Sequence, residues 1–190
     1  MEQIIAKSIA GHKEALELAI AQKSTIIAIA GFCVDALEEG GKIVFMGNGG
    51  SAADAQHLAA ELVGRFKKNR KALPALALNV NTSILTAIGN DYGYDDVFSR
   101  QVEALVTSKD VVFGISTSGK SKNVINAINS AKAIGAKTVG FLGQDGGLLK
   151  PLVDIDFTIN SKDTPRIQEM HILAGHIICE IIETSLYPDA

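Results

Sequence analysis

Apolar residues recur at helical spacing through residues 2–39, where Ile4, Ile5, Ile9, Leu16, Leu18, Ile26, Ile27 and Ile29 predict a helical arm. A break is expected near Gln22–Ser24, and Gly40-Gly41 ends the arm. Beyond it the pattern changes to short apolar runs, which predict strands over 43–46, 75–80, 111–115, 138–142 and 155–159. Helical patterns fall between several of them, over 52–66, 82–88, 97–105 and 123–133. Asp163-Thr164-Pro165 pairs a capping residue with a first-turn proline and starts a last helix running to about Leu186. Strands that are apolar on both faces and separated by helices predict an α/β fold with a doubly wound parallel sheet. The expected organisation is a single domain: a helical arm (1–39), an α/β core (40–162) and a C-terminal helix (163–187).

The last helix carries Ile167, Met170, Ile172, Leu173, Ile177, Ile178, Ile181 and Ile182, an apolar surface too broad for a solvent-facing helix. It and the arm are expected to pack against other subunits; burial against the chain's own sheet is the competing reading.

Composition narrows the function classes. The chain has 190 residues, 47% of them hydrophobic, enough for a sizeable core. A formal net charge of −3 argues against a nucleic-acid binder that works by neutralising phosphates. Lys67, Lys68, Arg70 and Lys71 form the one basic cluster and read as a solvated loop. Cys33 and Cys179 sit among apolar residues and read as buried, reduced packing groups. No apolar run approaches the ~18 residues of a membrane helix. The N-terminal residues lack a basic segment followed by an apolar one, so the expectation is a cytoplasmic protein without membrane partners.

Two loops carry candidate chemistry. The first strand feeds Gly47-Asn48-Gly49-Gly50, and Ser51 then opens an alanine-rich helix. Such a turn presents bare N–H groups at the positive end of a helix dipole, which suits an anion. The third strand feeds Ser116-Thr117-Ser118-Gly119-Lys120-Ser121 ahead of another helix, a set of neutral donors that can wrap a phosphate. Both loops, and Gly89-Asn90-Asp91 after the second strand, are expected at the carboxyl edge of the sheet. Neither loop fits the P-loop or dinucleotide fingerprint. His57 and Glu61 lie four residues apart, ~40° around a helix, and project from one face. They read as a metal pair, a catalytic pair or a surface hydrogen bond. On the last helix Gln168 and His176 share a broad face; with His57 and Glu61 they would form a mixed N/O site for a divalent ion, provided the two helices converge. Glu169 and His171 point elsewhere and read as structural.

These motifs, with Ala55-Gln56-His57, Gly64-Arg65 and Arg166-Ile167-Gln168-Glu169-x-His171-x4-His176, together resemble the phosphoheptose (sedoheptulose-7-phosphate) isomerases of the SIS-domain superfamily over nearly the whole chain. The resemblance implies a five-stranded parallel sheet flanked by helices and a homotetramer with active sites at subunit interfaces. It implies conversion of D-sedoheptulose 7-phosphate to D-glycero-D-manno-heptose 7-phosphate, the first step toward the heptose of lipopolysaccharide core. It implies zinc held by His57, Glu61, Gln168 and His176. The phosphate would meet Ser51, Ser116, Thr117, Ser118 and Ser121, and the sugar would meet Asn48, Gly49, Gly50, Glu61, Asn90, Asp91 and Gln168. Glu61 would be the base of an enediol mechanism and His176 its acid partner. The alternative is a non-catalytic SIS-domain protein, a sugar-phosphate sensor or a scaffold associated with the replication initiator. It shares the Arg166-to-His171 run but lacks the equivalents of Glu61 and His176. Pro165 stands where certain isomerases have an acidic residue.

Overall fold

In the computed structural model, which describes residues 1–189, the arm is two helices, α1 (Glu2–Ile20) and α2 (Lys23–Glu38). They bend by 65° at Ala21-Gln22, at the near edge of the break expected around Gln22–Ser24. Among the described residues no single helix is long and apolar enough to cross a membrane. The core then alternates as expected: β1 (Ile43–Gly47), α3 (Gly50–Val63), β2 (Ala75–Ala77), α4 (Thr82–Asp91), α5 (Ser99–Leu105), β3 (Val111–Ser116), α6 (Lys122–Ile134), β4 (Lys137–Gly143), β5 (Ile155–Ile159) and α7 (Thr164–Leu186). All five strands are parallel, in the order β2-β1-β3-β4-β5. Parallel strands need crossovers, and the helices of those crossovers cover both faces.

The period-two alternation of strand side chains divides the core in two. Phe45, Phe113, Phe141 and Phe157 point to the face covered by α2, α3 and α7. Val44, Met46, Val112 and Leu142 point to the face covered by α5 and α6. Direction of winding reverses between β1 and β3, so their carboxyl ends open the crevice where ligands bind in this kind of sheet.

Three expectations change. The second strand ends at Ala77 instead of Val80, because it is an edge strand paired only with β1 and the chain leaves toward the Asn81 cap of α4, whose side chain accepts from the Ile84 N–H. The third helix ends at Val63, short of Phe66, because its last carbonyls are taken by Arg70. That contact also corrects, for Arg70, the reading of the basic cluster as solvated; Lys67 and Lys71 are exposed as expected. The Arg70 side chain is 0% exposed and ion-paired to Glu183, itself 1% exposed. For α7, own-chain burial accounts for most of the apolar breadth: Ile167, Met170, Ile178 and Ile182 lie inside the core with α2 and α3. On α1, Ile4, Ile5 and Ile9 stand 53–71% exposed. Cys33 and Cys179 are buried and unpaired, as expected.

Candidate active site

The third and last helices run side by side in the same direction. Gln168 lies against Gly50, Gly175 against Leu58, His176 against His57, and Glu183 against the chain just past the end of α3. This pairing brings together residues 119 positions apart. Nε2 of His57 is 3.3 Å from Nε2 of His176 and 3.0 Å from Oε1 of Glu61. Ligand atoms of His57, Glu61 and His176 all lie within 4.8 Å of one another.

Two ring nitrogens and a carboxylate oxygen facing one point have few ways to satisfy one another. Each ring offers one lone pair or one proton at Nε2. A divalent cation satisfies all three at once, and this N,N,O set suits a borderline metal of the zinc type. Burial holds the His176 imidazole below its ordinary range, helped by His57 and opposed by Glu61, so its lone pair is available. Phe66 stacks on His176 with centroids 5.4 Å apart and planes 27° apart.

Gln168 belongs to the same seam, two turns N-terminal to His176 on α7. Its amide sits where any side chain at position 50 would be: a Cβ there would come within 2.4 Å of Nε2. Glycine is therefore required at position 50 for Gln168 to reach the start of α3. His171 and Glu169 find their partners elsewhere. His171 is buried and shares a 3.0 Å hydrogen bond with the Leu142 carbonyl, and Glu169 pairs with His12 and Arg166.

The two expected anion loops flank the β1/β3 crevice. Asn48 and Asn123 exchange reciprocal amide hydrogen bonds of 2.9 Å, tying the loop after β1 to the first turn of α6. Ser51 is buried at the first turn of α3. Across the crevice Ser116 Oγ and Ser121 Oγ are 2.9 Å apart, and Ser118 Oγ accepts from the Lys120 N–H. Gly119 has φ +62, and a Cβ there would meet the Gly146 carbonyl at 2.0 Å, so the loop closes only with glycine. Asn90 and Asp91 form the last turn of α4, which continues past its expected end at Ile88. They are exposed and hydrogen-bonded to each other. Three residues on, the Tyr94 hydroxyl donates to Asn48 Oδ1, returning this segment to the crevice.

Sequence reasoning passed over Asp54, Phe66 and Asn123. Asp54 lies one turn before His57; burial pushes its carboxyl up to about 6 against the opposing pull of His57, and Oδ2 has no partner among the described residues. A lone acid in the run Ala52-Ala53-Asp54-Ala55 was its available signal. Phe66 carried none.

Residues 7–143 match the family described as SIS domain. A phosphoheptose isomerase of Geobacter metallireducens is 56% identical over 98% of this chain and 100% of its own length. One from Helicobacter pylori is 53% identical over 96% of each. The solved phosphoheptose isomerase of Neisseria gonorrhoeae superposes with a TM-score of 0.92 at 41% identity, covering 96% of this chain and 98% of that one.

Proposed function

The chain belongs to the phosphoheptose isomerases of the SIS-domain family, and from that premise we propose that it interconverts D-sedoheptulose 7-phosphate and D-glycero-D-manno-heptose 7-phosphate through an enediol. The observation that carries this reading is the convergence of Glu61, His57 and His176, two of them on the helix that the Gly47–Gly50 turn opens. Moving a carbonyl between neighbouring carbons requires a base that takes a proton from one and returns it to the other. Glu61 is that base, and His176 exchanges protons with the sugar oxygens. A non-catalytic scaffold has no need of this pair.

Ser51, Ser116, Thr117, Ser118 and Ser121 hold the phosphate, with the N–H groups of Gly49 and Gly50. Asn48, Asn90, Asp91 and Gln168 meet the sugar. Ser51 and His57 are six positions apart, about 9 Å along the helix, a span that an extended seven-carbon sugar phosphate can bridge. Remote phosphate binding thereby fixes the reacting carbons relative to Glu61.

His57, Glu61, His176 and, by rotation of its amide, Gln168 would hold a zinc ion. When bound, the metal supplies Lewis-acid stabilisation of negative charge on oxygen. Glu61 and His176 cannot be tight ligands and free acid–base groups at one moment, so their coordination must shift during turnover. The exposed isoleucines of α1 support a homo-oligomer, and a tetramer with sites at its interfaces fits them.

The test is hydrogen exchange into sedoheptulose 7-phosphate in D₂O, with and without a chelator. Exchange at the carbon beside the carbonyl that is abolished by chelation and by Glu61→Gln is expected. Tight sugar-phosphate binding with no exchange would identify a sensor instead of an enzyme.

A further inference from the structure

The segment after α3 is tied to the candidate site from two sides. Arg70 Nη2 donates to the carbonyl of Glu61 itself, at 2.9 Å, and Nη1 to that of Leu62, at 2.7 Å. These are orphan carbonyls of the helix end, so Arg70 is the C-terminal cap of α3. Arg70 Nε donates to Glu183 on α7, at 2.9 Å. The same Glu183 carboxylate accepts the backbone N–H groups of Phe66, Lys67 and Lys68 at 2.8, 2.8 and 3.0 Å. Four donors on one buried carboxylate leave the segment little freedom. Its one inward aromatic ring, Phe66, is laid flat on His176.

We infer that Phe66 is a positioning residue for His176, and that the Arg70–Glu183 pair is the clamp that holds it there. The ring restricts rotation of the imidazole and keeps Nε2 aimed at His57 and Glu61. The clamp links both halves of the site: one arm grips the backbone of Glu61, and the other grips the backbone of the residue that backs His176. Neither Phe66 nor Glu183 touches the reacting atoms. The inference rests on the metal-assisted isomerase reading above.

The test pairs Phe66→Leu, which keeps apolar bulk, with Phe66→Tyr, which keeps the flat face. Two quantities are read: Zn²⁺ affinity of the metal-free protein by competition with a chromophoric chelator, and kcat separately from KM. Partners that orient a ligating imidazole are worth about tenfold to a hundredfold in affinity or activity. Phe66→Leu is therefore expected to lose at least about tenfold in Zn²⁺ affinity and kcat with KM unchanged, and Phe66→Tyr to stay within about twofold of the parent. Glu183→Gln, assayed below its own melting temperature, is expected to lose both as Phe66→Leu does. Parental Zn²⁺ affinity in Phe66→Leu, or equal losses in the leucine and tyrosine variants, would overturn the role of the ring. Parental affinity in folded Glu183→Gln would overturn the clamp. If the unaltered protein binds Zn²⁺ but does not turn over the heptose phosphate, the isomerase reading has failed and the affinity comparison still judges this one.

Discussion

Glu61 and Glu183 sit on the same pair of helices and have opposite fates. Glu183 is fully buried, and burial alone would push its carboxyl up; three backbone N–H groups and Arg70 outweigh that and hold it below the usual range. It is charged, saturated with donors and fixed. Glu61 is 23% exposed and has one partner, a histidine that is itself half exposed. Its remaining lone pairs face outward to the space shared with His176. A carboxylate with no capacity left can organise backbone but cannot accept a proton or a ligand. One left partly unsatisfied can do both, and the saturated one holds it in place. Within about two turns of α7 the seam passes from the open arrangement to the closed one.

Exchanging charge for neutrality at each end measures this contrast. The largest effect is expected from Glu61→Gln: kcat falls by about 10²–10⁴-fold, the range for loss of a general base, while the melting temperature hardly moves. Retention of parental kcat would remove Glu61 from the chemistry. Glu183→Ala is expected to add a loss of stability that Glu61→Gln lacks, lowering unfolding free energy by about 3–5 kcal/mol, because it strands the Arg70 guanidinium in the core. Urea titration reads this, and a loss under 1 kcal/mol would show the pair to be dispensable.

The two histidines of α7 repeat the contrast through pH. Burial pulls the wholly enclosed His171 down to about 4, against the opposing hydrogen bond to Leu142, from an ordinary 6.5. The unfolded chain then takes up this proton first. Stability is full above pH 6.5, falls as pH drops toward 4, and loses about 3 kcal/mol across that window. His171→Phe cannot titrate and should show a flatter profile there; identical slopes would mean that His171 is not the responsible group. The smallest effect belongs to the loop proposed to hold the phosphate. Ser118→Ala should raise KM about tenfold, the worth of one hydrogen bond to a charged group, with kcat unchanged. An unaltered KM would move the phosphate elsewhere.

The sequence alone determined the order and type of the elements, the positions of the two candidate loops and the His57/Glu61 pair. Apolar periodicity, capping residues and glycine turns act between near neighbours, so they can be read locally. The β5 segment was legible to the residue, 155–159. Helix α4 was expected to end at Ile88 and runs to Asp91, its end held by the Tyr92 N–H on the Ile88 carbonyl, an extension that the poor helix formers Gly89, Asn90 and Asp91 do not announce. Only the tertiary structure decided that α3 and α7 run parallel in a register that sets His176 on His57. It also decided that Arg70 is buried and that Phe66 backs an imidazole. Each depends on contacts between residues more than a hundred positions apart in the chain. Such contacts leave no periodic trace in either partner. They arise when a packed interior forces a charge to find its opposite and a ring to find a face.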